Sequence, residues 1–298
     1  MISEAAANRQ DIRPARIGLL NLMPAAVMKQ TEEQWLKYIS HTLLQIEPIL
    51  LKFDDDDRER NGGSRAKQLS RYEAFSQAAE IGLDGLIITG DNLELNQTDN
   101  AKGHKLLDFS QIRYAKQLEG VIRYARSNIY STIYSCLASH FALHTIYGLE
   151  RSAVEEKIFG VFAHKVPNGT SSSMVLNMND DIVAPHSRWG DVPTEALLAA
   201  NISVLASNDK IGWLLAEDKN DAGGHDYFIQ GHPEYDKYDL DAEYRRDLAS
   251  GHKLPEHYYL SDDPTKVPSM GWVTDARALH SNWIADIYKH FSSSHADS

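Results

Sequence analysis

With 298 residues, 42% hydrophobic and 24% charged, the chain has material for one large domain with a full core, and a formal net charge of −12 argues against nucleic acid or an anionic membrane as partner. No stretch approaches the ~20 consecutive apolar residues of a spanning helix, and the polar opening, residues 1–13, lacks the apolar centre of a signal peptide. Cys136 is the only cysteine, which excludes an intrachain disulfide and a cysteine zinc cluster and fits a cytoplasmic protein.

In chain order, residues 16–22 (RIGLLNL) read as a buried strand. Thr31-Glu-Glu-Gln34 has the spacing of a capping box, opening a helix with Trp35, Leu36, Ile39 and Leu43 on one face. Residues 44–53 form a second strand, 54–64 a charged loop, 66–79 a helix, and 84–90 (DGLIITG) a short buried strand ending in a glycine turn. The polar stretch 95–108 reads as a loop or lid, followed by a helix over 111–126 and a strand over 128–134 (NIYSTIY). A helix over 137–147 comes next; strands at 202–205, 212–216 and 227–230 and helices at 241–250 and 276–288 fill the second half. Residues 292–298 are expected to be a disordered tail. This alternation predicts one α/β domain over the whole chain, doubly wound, with a mostly parallel sheet flanked by helices.

Two positions stand out chemically. Cys136 sits between the strand 128–134 and an apolar helix, where open α/β sheets bind ligands and where a helix N-terminus offers backbone N–H groups to an oxyanion. His232 follows the strand 227–230 in Gly231-His-Pro-Glu-Tyr-Asp236, with Glu234 two residues on. A thiol nucleophile needs a base and the base an orienting acceptor, so Cys136, His232 and Glu234 form a candidate triad if the chain brings them together. His140 and His144 have zinc-ligand spacing but lack the HExxH glutamate and a third ligand, so they read as helix packing behind Cys136. Pro185-His-Ser-Arg-Trp189 suits either a ligand-binding segment or a structured loop. Neither GxGxxG nor GxxxxGK[ST] occurs, which argues against a nucleotide cofactor.

These residues resemble the homoserine O-acyltransferases of methionine biosynthesis, which share the class I glutamine-amidotransferase-like, flavodoxin-like fold. The resemblance runs from about residue 12 to 291. It is carried by Ile17-Gly-Leu-Leu-Asn-Leu-Met-Pro24, Thr31 to Gln34, Asp84 to Gly90, Cys136, Glu156-Lys-Ile-Phe-Gly-Val-Phe162, Ala184-Pro-His-Ser-Arg188, Gly231 to Asp236, Asp263-Pro-Thr-Lys266 and Ser281-Asn-Trp283. It implies Cys136 as the acyl-accepting nucleophile, His232 as base and Glu234 as its orienter. Lys157 and Ser187 match positions lining the substrate pocket, and Arg246 the arginine that pairs with the amino-acid carboxylate. The expected oxyanion donors are the Leu137 amide and one from the 21–25 turn. Glu94, four residues after Gly90, matches a position that carries glutamate in acetyl-CoA users and glycine in succinyl-CoA users. The implied reaction is ping-pong acetyl transfer from acetyl-CoA, without cofactor or metal, by a homodimer. Serine or another amino alcohol as acceptor, succinyl-CoA as donor, a glutamine-amidotransferase-like hydrolase and a non-catalytic binding protein are the alternatives. The chain departs from the family pattern at Ala25-Ala26, at Asp91-Asn92, at Leu137 and Ser139-His140 after the cysteine, and in a longer 95–108 stretch.

Overall fold

The computed structural model describes residues 13–56, 69–91, 106–248 and 253–296. The expected loops at 54–64 and 95–108 fall largely outside these residues, and so do Asn92 and Glu94. Of the helix expected over 66–79, residues 69–79 are described, and there a two-residue strand, Glu73–Ala74, precedes a helix that begins only at Phe75 and runs to Ile81.

The first half runs β1 (Ala15–Leu20), α1 (Ala25–Ile39), β2 (Ile46–Lys52), β3 (Glu73–Ala74), α2 (Phe75–Ile81), β4 (Gly85–Ile88), α3 (Ala115–Asn128), β5 (Ser131–Ser135) and α4 (Leu137–Tyr147). The second runs β6 (Ser152–Lys165), β7 (Asp181–Asp191), α5 (Thr194–Ala199), β8 (Ser203–Asn208), β9 (Gly212–Lys219), β10 (His225–Ile229), α6 (Asp239–Asp247) and α7 (Val273–Ala296). They build a ten-stranded sheet in the order β3-β2-β1-β4-β5-β10-β9-β8-β6-β7. Pairing is parallel from β3 to β10 and antiparallel beyond.

The central strands are apolar on both faces because helices cover both. Leu86, Ile88, Tyr134 and Phe228 pack into one core with α3 and α4. The alternate residues Ile87, Ile133, Tyr227 and Ile229 pack into another, against Trp35 and Ile39 of α1 and Trp283, Ile284 and Ile287 of α7. No helix among the described residues is long and apolar enough to cross a membrane.

Three further expectations need correction. Helix α1 starts at Ala25, six residues before the anticipated cap, behind an extended Pro24. The good helix formers after that proline outweigh the capping-box spacing, so Thr31 lies buried inside the helix, while Leu43 lies beyond its end and is exposed. The strands β6 and β7 were not anticipated, and Pro185 to Trp189 lie within β7 rather than in a loop. Glu155-Glu-Lys157 sits where the β6–β7 register shifts, which hides the alternation of β6. Pro185 is tolerated because β7 is an edge strand. Finally, α7 continues to Ala296, past the start of the expected tail at residue 292.

In sheet order β7 lies four places from β10, yet the Pro185 carbonyl accepts the His232 backbone N–H at 2.8 Å. The antiparallel half therefore curls back onto the turn that follows β10.

Candidate active site

Cys136 is the residue between β5 and α4, with φ 50° and ψ −115°. That backbone region is costly for a residue with a Cβ. It is held because the Cys136 N–H donates to Ile229 O at 2.7 Å, while the Cys136 carbonyl accepts from Ser139 and His140 in the first turn of α4. The glycine turn after β4 abuts it, since a Cβ on Gly90 would stand 3.0 Å from Cys136 Cβ.

His232 is buried beside the sulfur and hydrogen-bonds the Cys136 side chain. Its Nδ1 meets Glu234 Oε1 at 2.8 Å, which turns the opposite ring nitrogen toward Cys136. Tyr235 stacks on the imidazole with centroids 4.3 Å apart. Burial works against a charged imidazole here, but Cys136 and Glu234 together more than offset it and hold the His232 pKa well above the ordinary value. The three residues singled out in the sequence thus form one hydrogen-bonded chain.

A cavity of about 380 Å³ opens over Cys136, and Lys157, Ser187 and Arg246 line it. Lys157 and Ser187 share a residue that the sequence pattern did not single out, Glu243 on α6. Its Oε1 accepts from Tyr235 OH at 2.8 Å, and its Oε2 accepts from Ser187 Oγ and from Lys157 Nζ, the latter at 3.2 Å. Lys157 also lies over the Phe159 ring and 3.7 Å from Asp247. The Arg246 guanidinium forks onto Asp247 through Nε at 2.6 Å and Nη2 at 2.7 Å, with the arginine side chain 59% exposed at the cavity rim. The signal for Glu243 was its position three residues before Arg246, one helical turn away on the same face.

Asp91 also lines the cavity, buried, and accepts from Tyr114 OH at 2.7 Å. Thr31 and Gln34 of α1 complete that side. In the 21–25 turn, the Met23 N–H is directed to Asn21 Oδ1 and the Leu22 N–H to Thr89 Oγ1. Pro24 has no N–H to offer. The Leu137 amide lies at the first position of α4, beside the sulfur-bearing residue. Of the two helical histidines, His140 binds Gln230 Oε1 at 2.8 Å and His144 faces Glu150 at 3.2 Å. No metal-holding group of three or more His, Cys, Asp or Glu occurs among the described residues.

A family model described as "Homoserine O-succinyltransferase" matches residues 1–293. The chain belongs to this family. A homoserine O-succinyltransferase of Pseudoalteromonas atlantica is 36% identical over 279 residues, covering 92% of this chain and 84% of the relative. A homoserine O-acetyltransferase of Lachnoclostridium phytofermentans is 32% identical over 287 residues, covering 95% and 89%. Relatives in the family thus carry both donor names. Among solved structures, the glutaminase domain of Trypanosoma brucei CTPS superposes with TM-score 0.53 at 14% identity, over 92% of this chain and 94% of that one. A glutamine amidotransferase of Thermotoga maritima gives 0.53 at 8%, over 94% and 98%. At such identities the likeness concerns the fold alone, and that fold is class I glutamine-amidotransferase-like.

Proposed function

We propose that this chain transfers an acetyl group from acetyl-CoA to the hydroxyl of homoserine through a thioester on Cys136. The observation that carries the reading is the Cys136–His232–Glu234 chain at the floor of a cavity walled on one side by Glu243 and Arg246. The Cys136 thiolate attacks the acyl-CoA carbonyl, and the CoA thiolate leaves with a proton from His232. His232 then takes the proton of the acceptor hydroxyl as that oxygen attacks the acyl-enzyme. The Leu137 amide is one oxyanion donor, and the 89–91 turn packed against Cys136 is better placed than the 21–25 turn to supply a second. An amino acid suits the wall: its carboxylate takes the Arg246 fork in place of Asp247, and its ammonium meets Glu243.

The charge of the cavity supports the acetyl donor. Asp91, Glu234, Glu243 and Asp247 line it against Lys157 and Arg246, and both cations already face carboxylates. The free carboxylate of a succinyl group would meet this surplus; at an effective dielectric of ~20, two like charges ~4 Å apart repel by about 4 kcal/mol before screening. The resemblance of Glu94 to the acetyl-associated position points the same way. A cytoplasmic setting and a homodimer complete the proposal, resting on composition and on the resemblance.

The test is intact-mass spectrometry of the protein mixed with acyl-CoA alone, followed by addition of homoserine, serine or water. One acetyl group on the Cys136 peptide, discharged fastest by homoserine, is expected. An adduct on Ser135 or Ser139 would refute the nucleophile, and faster discharge by serine would refute the acceptor.

A further inference from the structure

Behind the His232 turn lies a buried polar chain that the reaction above does not use. Gly231 leaves no room there: a Cβ would stand 2.8 Å from Pro185 O, 2.9 Å from His186 Nε2 and 2.7 Å from Leu214 Cδ1. The position of His232 is thus set by β7, through the Pro185 carbonyl on its N–H and the His186 ring against the preceding residue. His186, His164 and Arg188 are each 0% exposed. Arg188 Nε lies 3.3 Å from His186 Nδ1, and His186 Nε2 lies 3.1 Å from His164 Nε2. His164 Nδ1 lies 3.3 Å from Ile182 O. The rest of the guanidinium is spent on Gly190 O and Asp191 Oδ1, each at 2.8 Å, and on Ile211 O.

The direction of every proton in this chain follows from its first member. An arginine Nε–H can only donate, so His186 Nδ1 carries no proton. His186 Nε2 therefore carries one and donates it to His164 Nε2. His164 in turn is protonated at Nδ1, which is what the Ile182 carbonyl requires. Both rings are neutral, and neither can take a second proton without breaking a bond of the chain. Burial, and then the neighbouring charges, push the His186 pKa well below the ordinary value, and burial takes that of His164 down to about 4.

We propose that Arg188 is a positioning residue for His232: acting through His186, it fixes β7 against the Gly231–His232 turn and keeps the adjacent imidazole uncharged, so that the proton moved in the reaction resides on His232. The proposal rests on the reading above for the role of His232. The titratable and charged groups facing His186 are His164 on β6, Arg188 on β7 and His232 after β10. With Arg188 replaced, His186 Nδ1 loses its obligatory donor and the repulsion of the guanidinium, so His186 charges at a higher pH than in the wild type, although burial still opposes the charge. A positive His186 then opposes proton uptake by His232, so activity is lost progressively on the acid side.

Two experiments test this on the full-length protein. The first needs no substrate. In long-range proton–nitrogen NMR of 15N-histidine-labelled wild type, His186 should be protonated at Nε2 alone, His164 at Nδ1 alone, and neither should titrate between pH 5 and 8. A His186 protonated at Nδ1, or one titrating in that window, overturns the proposal whether or not the acyl-transfer reading holds. The second follows acyl transfer against pH. Arg188→Gln should lower kcat about 10- to 100-fold with little change in KM, and its acid limb should move to higher pH. His186→Gln, whose carboxamide can accept from Arg188 and donate to His164 but cannot charge, should keep the wild-type profile. The double variant should lose the acid-limb shift of Arg188→Gln. Equal loss at every pH in the single and double variants would mean that Arg188 only supports the fold, and the proposal would fall. If Arg188→Gln does not fold, the NMR result and the His186→Gln profile still decide it, since a shifted profile in His186→Gln contradicts it.

Discussion

At Cys136 the backbone carries a cost that the sequence did not announce. A φ of 50° with ψ −115° on a non-glycine residue stores about 1–3 kcal/mol. Glycine would relieve it, less about 0.5–1 kcal/mol for its freer unfolded chain. Both Cys136→Ala and Cys136→Gly should therefore lose all acyl transfer, but Cys136→Gly should melt a few degrees above Cys136→Ala in calorimetry. Equal melting temperatures would mean that the strain is relaxed in solution. His232→Asn should cost about 10²–10⁴ in kcat. Glu234→Gln should cost less, because its amide oxygen can still accept from Nδ1. If steady-state rates of the two variants matched, the ordering of base and orienter would be wrong.

Among the elements, the parallel strands were legible and the β6–β7 hairpin was not. Strands β1 and β4 are buried almost throughout and marked by their runs of apolar residues, and β5, buried along its length, by its β-branched and aromatic residues. By contrast β6 exposes six of its fourteen residues, and β7 carries a proline; local alternation is blurred, and only the long-range pairing defines them. The cost of missing this hairpin was functional, since it presents Lys157, Ser187 and Trp189 to the cavity. Cys136, His232 and Glu234 could be found because strand ends and a neighbouring acid are local signals. Glu243 could not be ranked among many surface acids until β7 and Tyr235 were seen to converge on it. Gly231→Ala tests the hairpin's hold on the site. Its Cβ would push on Pro185 O and the His186 ring, and overpacking of this kind costs about 1–3 kcal/mol. Activity should fall further than the melting temperature implies, as read by kcat at a temperature well below melting.

Helix α6 offers a pH-dependent case. Asp239 at its start accepts from Gln30 at 2.6 Å, Gln34 at 2.5 Å and the Asp236 amide. Burial, with repulsion from Asp236, Glu234 and Glu243, pushes its pKa up to about 7. A carboxyl whose folded pKa lies above the unfolded value near 3.9 is harmless below that value. It costs stability increasingly as pH rises, in full above about 7. Asp239→Asn should therefore stabilise the protein most at pH 8, with the gain shrinking toward pH 4 in thermal melts. A gain independent of pH would assign the effect to packing instead.

For the whole molecule, the surplus of carboxylates at the cavity matches the overall charge of −12 and bears on donor choice. Wild type should use acetyl-CoA in clear preference to succinyl-CoA. Asp91→Ala and Glu94→Gly should each raise succinyl-CoA use, while butyryl-CoA, of similar length but uncharged, should respond much less. Parallel gains for butyryl-CoA and succinyl-CoA would show that size, not charge, governs the choice.

The strand order also dictates a timetable during synthesis. Strand β10 lies between β5 and β9, although some ninety residues separate it from β5 along the chain. When the ribosome has released residues 15–147, the five strands from β3 to β5 can already pair, but β5 is left as an open edge of fully buried-type residues. At roughly 5–20 residues per second, that edge waits on the order of ten seconds for residues 225–229. Unpaired strand edges invite pairing between chains, so this interval is when a nascent chain is most exposed to aggregation. Over the same interval Cys136 lacks both the Ile229 carbonyl that holds its backbone and the imidazole beside its sulfur. The thiol is thus kept from its activated setting until the sheet has closed.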